Sequence, residues 1–217
     1  MIREMRAAIF DLDGVIVDTA KYHYLAWKRL ANELGFDFNE IDNERLKGVS
    51  RVRSLEILLE IGGLNLDDVT KTQIATQKNN WYVDYICHMD SSEILPGVVE
   101  YVKSIRAKGV KTAIGSASKN TPLILERLGI AALFDAIVDG NKVTKAKPDP
   151  EVFLRAAEEL NVLPTECVVF EDAEAGIEAA LRAGMKTVGI GKPCNLREAE
   201  TIIPGLFVLV MLSAHRL

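Results

Sequence analysis

Short apolar segments alternate with helical repeats along most of this chain. The segments lie at positions 7–10, 111–115, 136–138, 167–170 and 186–190. Between them, apolar residues recur every three or four positions, the spacing of one helix face. These faces are Val98, Val102 and Ile105; Ile124, Leu125 and Leu128; Phe153, Ala156, Ala157 and Leu160; and Ile177, Ala180 and Leu181. Three repeats stop at Gly109, Gly129 and Gly184, and one follows Asp149-Pro150, which is typical of an N-cap and a first-turn proline. The alternation predicts a doubly wound α/β fold, a parallel sheet covered on both faces.

Residues 17–89 break this alternation, because they carry helical repeats without a strand-like segment. His23, Trp27, Leu30 and Leu34 share one helix face, Val52, Leu55, Leu58 and Leu59 begin a second, and a third helix is expected over 71–87. The pattern predicts a small all-helical cap domain at 17–89, inserted after the first strand into a core domain formed by 1–16 and 90–217. The two connections are expected near 15–18 and 90–96, so the cap is free to open and close over the sheet.

Composition narrows the class of protein. The 217 residues are 48% hydrophobic and carry a formal net charge of −5, which argues against a nucleic-acid-binding surface. The cysteines, Cys87, Cys167 and Cys194, are widely separated, as expected for reduced thiols. The apolar segment 206–212 is too short to span a bilayer, so we expect a late strand or a core-docking segment there. These features predict a soluble, cytoplasmic protein without a nucleic-acid or membrane partner, and a monomer is expected.

Two aspartates follow the first predicted strand. Asp11 and Asp13 are two positions apart, so their side chains point the same way from an extended segment. Two facing carboxylates repel each other and favour a hard divalent cation with oxygen ligands. The alternative for these residues alone is an ordinary aspartate-rich turn.

Polar residues also follow the other predicted strands. Ser116-Ala117-Ser118-Lys119-Asn120 leads into a helix, where hydroxyls and free backbone N–H groups can hold a phosphate. Lys147 can balance an anionic ligand, and Glu171-Asp172 forms a second acidic pair. Taken singly, these are equally explained as a capped loop, a surface lysine and acids that favour a helix start. Parallel strands, however, bring all of these residues to one edge of the sheet, where ligands bind.

This combination favours phosphoryl transfer. Clustered carboxylates predict Mg²⁺, bound together with substrate phosphate and water. One of the two aspartates is expected to attack phosphorus and form an aspartyl phosphate, and the other to act as general acid and base. Their spacing does not decide which residue has which role.

The segment Asp11-Leu12-Asp13-Gly14-Val15-Ile16-Val17-Asp18-Thr19, with Ser116, Lys147 and Glu171-Asp172, resembles the four motifs of the haloacid dehalogenase-like phosphotransferases. The resemblance covers about residues 8–191 and implies the Rossmann-like core with its helical cap. It implies that Asp11 is the nucleophile and Asp13 the general acid and base. It places Mg²⁺ among Asp11, the carbonyl of Asp13, Glu171 and Asp172, and the transferring phosphoryl group between Ser116 and Lys147. Ala117, Ser118 and Asn120 join the phosphate-binding set.

The cap resembles that of the sugar-phosphate mutases of this superfamily. The matching residues are Gly48 and Arg51 in Lys47-Gly48-Val49-Ser50-Arg51, together with Ser54-Leu55, His23, Trp27 and Lys78-Asn79. The resemblance implies that Arg51 binds the phosphate that is not transferred, that His23 contacts the acid/base aspartate, and that Lys78 lies along the sugar. It places Thr19 in the hinge and Gly48, Ser54 and Trp27 at the substrate. Without the resemblance, Arg51 would be read as a solvated charge, and His23 and Trp27 as cap packing.

The expected activity is therefore the interconversion of β-D-glucose 1-phosphate and glucose 6-phosphate by a Mg²⁺-dependent phosphomutase. It would proceed through a phosphorylated aspartate, with β-glucose 1,6-bisphosphate as activating intermediate. The alternatives are a Mg²⁺-dependent sugar-phosphate phosphatase and a non-catalytic binding module, and the intact Asp11, Asp13, Lys147 and Asp172 argue against the module. The chain departs from the superfamily pattern at Ala173, where a hydroxyl residue is common. Residues 62–77 match little and are expected to shape sugar preference.

Overall fold

A six-stranded parallel sheet forms the core. The computed structural model describes residues 5–46 and 49–214. The strands are β1 (Ala7–Phe10), β2 (Lys111–Gly115), β3 (Ala136–Val138), β4 (Cys167–Glu171), β5 (Lys186–Ile190) and β6 (Thr201–Ile203), in the order β3-β2-β1-β4-β5-β6. The doubly wound α/β fold is confirmed. The sequence pattern missed β6, because three residues at a sheet edge are too few to show a strand period.

The α-helices of the described residues fall into two groups. Those before the second strand are α1 (Ala20–Glu33), α2 (Glu40–Glu44), α3 (Arg51–Gly62) and α4 (Asp68–Ile86), followed by α5 (Val98–Arg106). The later helices are α6 (Thr121–Leu128), α7 (Glu151–Leu160), α8 (Glu174–Arg182) and α9 (Phe207–Ala214). No helix among the described residues combines the length and the apolar character needed to cross a membrane.

The sheet is buried on both faces, which explains why its strands are continuous apolar runs. Ala8 and Phe10 of β1 face one cluster, which includes Tyr101 and Val102 of α5. Ala7 and Ile9 face the opposite cluster, built with α7 and α8. Alternate residues of a single strand thus stabilise both layers.

The segment 206–212 is helical, so the strand alternative was wrong, but the core-docking alternative is confirmed. Leu206 is buried, and Leu209 and Val210 pack against the cluster that includes α5. The edge position belongs to β6 instead. An uninterrupted apolar run fits a strand or a helix equally well, and packing decides between them.

Three local predictions need correction. Pro150 itself occupies the N-cap position of α7, while Asp149 accepts a hydrogen bond from Glu151 N at 3.0 Å. Val52 and Leu181, assigned to buried helix faces, are 67% and 38% exposed. Both lie at the margin of an apolar stripe, where a helical period alone does not define burial.

Helices α1 to α4 form the helical insertion around their own hydrophobic cluster, which includes Trp27, Leu30, Phe38, Leu55 and Leu58. The five-residue helix α2 was not predicted, and α4 begins before position 71 because Asp67 caps it through Thr70 N at 2.9 Å. The two connections run side by side, since Leu95 N donates to Ile16 O at 3.0 Å. The domain limits at 1–16, 17–89 and 90–217 stay a prediction.

Candidate active site

The carboxyl ends of the strands open into a cavity of about 790 Å³ between the sheet edge and the helical cap. Phe10 pairs with both Ile114 and Phe170, so β1, β2 and β4 end at the same level. The residues that follow these strands therefore meet at one place. Asp11, Ser116 and Asp172 line the core side of the cavity, and Arg51 and Lys78 line the cap side.

Lys147 lies between two buried carboxylates. Its Nζ is 2.5 Å from Asp11 Oδ1 and 2.8 Å from Glu171 Oε2. Burial alone would lower the pKa of Lys147, but the two carboxylates outweigh that effect and raise the pKa. The ammonium therefore stays charged beside Asp11, where an incoming phosphate needs positive charge.

Asp11, Glu171 and Asp172 form a group of carboxylates whose oxygens lie within 4.8 Å of one another. These hard oxygen donors fit Mg²⁺. Burial, followed by the charge of Asp11, raises the pKa of Glu171, and a bound dication would favour the ionised form. The side chain of Asp13 is not part of this group, and a metal contact through its carbonyl stays a prediction.

Two glycines make room for these carboxylates. A Cβ at Gly14, where φ is +75°, would lie 2.0 Å from Asp172 Oδ2, and one at Gly176 would lie 2.0 Å from Glu171 Cδ. Glu171 also accepts a hydrogen bond from the backbone N–H of Ala173 at 3.1 Å. The backbone thus orients Glu171 although Ala173 lacks the hydroxyl common at that position.

Asp13 faces the connection into the cap. The buried hydroxyl of Thr19 donates a hydrogen bond to Asp13 Oδ1. Burial and then the charge of Asp11 raise the pKa of Asp13 to about 8. A carboxyl with this pKa is largely protonated near neutral pH, so it can give a proton to a leaving oxygen.

The loop 116–120, which we call the phosphate loop, is held by its own hydroxyls. Ser118 N donates to Ser116 Oγ at 3.1 Å, and Asn120 N donates to Ser118 Oγ at 3.2 Å. Ser116 is buried, and Ala117, Ser118 and Asn120 line the cavity with it. Because α6 starts at Thr121, this is a loop-to-helix junction of the kind that binds phosphate.

The cap contributes a buried lysine that pairs with a half-buried histidine. Lys78 Nζ lies 2.9 Å from His23 Nδ1 and 4.3 Å from the centre of the Trp27 ring. Burial, then the neighbouring cations, lowers the pKa of both His23 and Lys78. In this conformation Asp13 has its hydrogen bond from Thr19, and His23 has its hydrogen bond with Lys78.

The structure brings nearly all predicted site residues to one cavity. Its walls include Asp11, Asp13, His23, Trp27, Arg51, Ser54, Lys78, Ser116, Ala117, Ser118, Asn120, Lys147 and Asp172. Thr19 and Glu171 contact this group from behind, through Asp13 and Lys147. Gly48 lies outside the described residues.

Several cavity residues were not predicted. Asn43 lines it, as do Asp68, Lys71, Thr72 and Thr76 from the first half of α4. Asn79, which matched the cap motif but was given no role, lines it as well. The polar residues of α4 recur at helical spacing, a signal that was present in the unmatched segment 62–77 and beyond. A polar stripe on a helix ordinarily faces solvent. Only the structure shows that this stripe lines a cavity.

Comparisons with known proteins agree with this geometry. The family model of the haloacid dehalogenase-like hydrolases matches residues 5–184. The chain is 43% identical over 201 residues to a β-phosphoglucomutase of Bacillus subtilis, covering 92% of this chain and 89% of that one. It is 34% identical over 192 residues to a phosphorylated carbohydrates phosphatase of Thermotoga maritima, covering 85% and 84%. A crystal structure of a β-phosphoglucomutase from Clostridium difficile superposes with a TM-score of 0.91 at 42% identity, over 97% and 96% of the two chains.

Proposed function

The chain belongs to the haloacid dehalogenase-like hydrolase family, and we propose that it is a β-phosphoglucomutase. It interconverts β-D-glucose 1-phosphate and glucose 6-phosphate. Phosphorylated Asp11 carries the phosphoryl group, and β-glucose 1,6-bisphosphate is the intermediate. The 43% identity over 92% of the chain supports this assignment.

One observation carries the proposal: the cavity has a cationic side chain at each end. Lys147 lies beside Asp11 on the core side, and half-buried Arg51 lines the cap side. Among residues 5–46 and 49–214, no carboxylate forms an ion pair with the guanidinium of Arg51, whereas those of Arg45 and Arg53 are paired with Glu56 or Glu60. A sugar bisphosphate has a phosphate for each end, and a planar guanidinium can hold one with two parallel hydrogen bonds.

In the first half of the cycle, the phosphorylated enzyme acts on β-glucose 1-phosphate. Asp13 removes the proton from the 6-hydroxyl, and the 6-oxygen attacks phosphorus while the bond to the Asp11 oxygen breaks. Arg51 holds the 1-phosphate meanwhile. The products are free Asp11, protonated Asp13 and β-glucose 1,6-bisphosphate.

In the second half, the bisphosphate is presented the other way round, with its 6-phosphate at Arg51. Asp11 attacks the phosphorus of the 1-phosphate, and Asp13 returns its proton to the leaving 1-oxygen. Glucose 6-phosphate leaves, and Asp11 is again phosphorylated. Because the pKa of Asp13 is raised to about 8, it can serve as acid in this half and base in the other.

Charge repulsion is the main barrier that the core residues reduce. A carboxylate about 3.5 Å from one phosphoryl charge is repelled by roughly 5 kcal/mol at an effective dielectric constant of about 20. Lys147 offsets this repulsion from 2.5 Å away from Asp11, and Ser116 and the phosphate loop hold the phosphoryl oxygens. Mg²⁺, held by Asp11, Glu171, Asp172 and the Asp13 carbonyl, would supply further positive charge at the transferring group.

The cap side selects sugar over water as acceptor. Thr19 in the hinge orients Asp13, and Lys78 orients His23. Lys78 and Trp27, which are in contact, lie along the sugar. Thr19, His23, Lys78 and Trp27 take these places only when the cap lies over the sheet. In an open enzyme Asp13 stays near Asp11 but lacks the orientation that Thr19 gives it, so it activates water less efficiently.

A sugar-phosphate phosphatase is the alternative, because a relative at 34% identity is a phosphorylated carbohydrates phosphatase. The test follows glucose 6-phosphate and inorganic phosphate together, with β-glucose 1-phosphate, Mg²⁺ and a catalytic amount of the bisphosphate. We expect glucose 6-phosphate to form much faster than phosphate, and Asp11→Asn to form neither. Phosphate release that dominates across many sugar phosphates would instead identify a phosphatase. A monomeric state and a cytoplasmic location stay predictions.

A further inference from the structure

A hydrogen bond crosses from the cap to the phosphate loop. Asn120 Nδ2 donates to Asn79 Oδ1 at 3.0 Å, joining residues 41 positions apart. Asn79 lies on α4 of the cap, and Asn120 ends the phosphate loop of the core. The two residues belong to different domains, so this hydrogen bond can form only while the cap lies over the sheet.

On the core side, Asn120 is tightly joined to the residues that hold phosphate. Its backbone N–H donates to Ser118 Oγ, whose own N–H donates to Ser116 Oγ. The carbonyl of Ser118 accepts from Thr121 Oγ1 at 2.9 Å and from Gly140 N at 3.2 Å. The backbone of Asn120 is therefore held by the same hydroxyl groups that shape the loop.

The phosphate loop is also confined from the side. A Cβ added at Gly140 would lie 2.4 Å from the carbonyl oxygen of Ala117. Asn141 Nδ2 donates to the carbonyl of Lys119 at 3.0 Å. The loop can thus serve as a fixed reference against which the cap is positioned.

On the cap side, Asn79 directly follows Lys78. The buried Lys78 bonds His23 Nδ1 and lies over the Trp27 ring. One turn of α4 therefore carries both the sugar-facing ammonium and the acceptor for Asn120. A bond at Asn79 consequently sets the distance between the sugar side and the phosphate side of the cavity.

We propose that Asn79 is a positioning residue that holds the closed cap in register with the phosphate loop through Asn120, and so favours phosphoryl transfer to sugar over transfer to water. The inference rests on the proposed function. Asn79 needs no contact with substrate for this role. Without its amide oxygen, the cap closes less often or less accurately over a loaded Asp11.

The experiment compares Asn79→Ala with Asn80→Ala, which truncates the neighbouring, exposed asparagine of the same helix. Loss of one neutral hydrogen bond changes an equilibrium constant by a factor of about five. We expect Asn79→Ala to lower kcat/KM for β-glucose 1-phosphate about fivefold, mainly through KM. The ratio of inorganic phosphate to glucose 6-phosphate should rise by a similar factor. Asn80→Ala should stay within about twofold of the wild type in both measurements.

Two further measurements separate positioning from a general structural effect. Phosphorylation of Asp11 by acetyl phosphate, which has no sugar to position, should change less than about twofold in Asn79→Ala. In a double-mutant cycle, Asn79→Ala should have little further effect in an Asn120→Ala background. The inference is overturned if Asn79→Ala and Asn80→Ala give the same product ratio, or if the effects of Asn79→Ala and Asn120→Ala multiply.

Failure of the proposed function would look different. A wild-type enzyme that makes only inorganic phosphate from sugar phosphates would refute the mutase assignment. The same double-mutant cycle, measured on KM for that hydrolysis, would still show whether Asn79 and Asn120 act together. Thermal midpoints of all variants verify that each is folded.

Discussion

Arg51→Ala tests whether the cavity has a second phosphate site on the cap that is distinct from the site of the transferring phosphate. Arg51 begins α3 on the cap, and Lys147 serves the transferring group on the core. A hydrogen bond from a charged donor contributes about 1.5–3 kcal/mol. A bidentate guanidinium–phosphate contact, taken at about 3 kcal/mol, corresponds to roughly a 100-fold loss in kcat/KM. Arg51→Lys keeps the charge without the planar fork, so we expect it to recover about a tenth of the wild-type value.

The chain offers a matched control on the same helix. Arg53 is about half exposed, and its guanidinium lies 2.9 Å from Glu56 and 3.0 Å from Glu60. Such surface pairs contribute at most about 1 kcal/mol to stability. Arg53→Ala should therefore leave turnover within about twofold, although it removes the same charge two positions away from Arg51.

The assay has two parts. Coupled detection of glucose 6-phosphate gives kcat/KM for the full cycle, and acetyl phosphate measures phosphorylation of Asp11 alone. Because acetyl phosphate has no second phosphate, Arg51→Ala should phosphorylate within about twofold of the wild type. Equal losses in both parts would show that Arg51 does not hold the second phosphate, and so would an equal effect of Arg53→Ala.

Three other changes test the core. Thr19→Val removes the donor to Asp13 without changing the size of the side chain, so kcat should fall about tenfold while the thermal midpoint moves little. Gly14→Ala should weaken Mg²⁺ binding in an isothermal titration, because its Cβ would lie 2.0 Å from Asp172 Oδ2. Gly35→Ala is the control for this change, because Gly35 also has a positive φ, +90°, but an added Cβ there would have no atom within 4 Å. It therefore introduces the backbone strain alone. The raised pKa of Asp13, about 8 against 3.8 unfolded, means that its contribution to stability is lost as pH rises through that range. In metal-free protein, Asp13→Asn should therefore raise the thermal midpoint more at pH 9 than at pH 5.

Each of these has a contrary outcome. An unchanged kcat in Thr19→Val would remove Thr19 from the orientation of Asp13. Equal Mg²⁺ affinity in Gly14→Ala and Gly35→Ala would show that Asp172 is not needed for the metal. A midpoint difference for Asp13→Asn that is independent of pH would contradict the raised pKa of Asp13.

Much of the fold was predictable, because its signals are local. Five strands follow from apolar periodicity, and the ends of α6 and α8 follow from Gly129 and Gly184. Elements too short to show a period, such as β6 and α2, were missed. The segment 206–212 was ambiguous for a different reason, since a uniformly apolar run carries no period at all.

The candidate site was predictable to the extent that strand order brings loops together. Asp11 and Ser116 directly follow parallel strands, and Glu171 ends β4. Lys147 lies in the loop after β3, and a parallel sheet collects such positions at one edge. Asn79 lies outside that rule. It reaches the phosphate loop only because α4 of the cap lies over the sheet edge, which no local pattern encodes.

The sequence by itself determined the fold class, the family and the chemistry of the core, since these depend on residue type and on spacing within a few positions. Only the tertiary structure decided which groups are partners: Thr19 with Asp13, Lys78 with His23, and Asn79 with Asn120. It also decided the direction in which the pKa values of the titratable groups among them are shifted. Burial dominates the shifts in pKa of Asp13, His23 and Lys78. Burial is set by elements that are distant in sequence but close in space, so it cannot be inferred from neighbours along the chain.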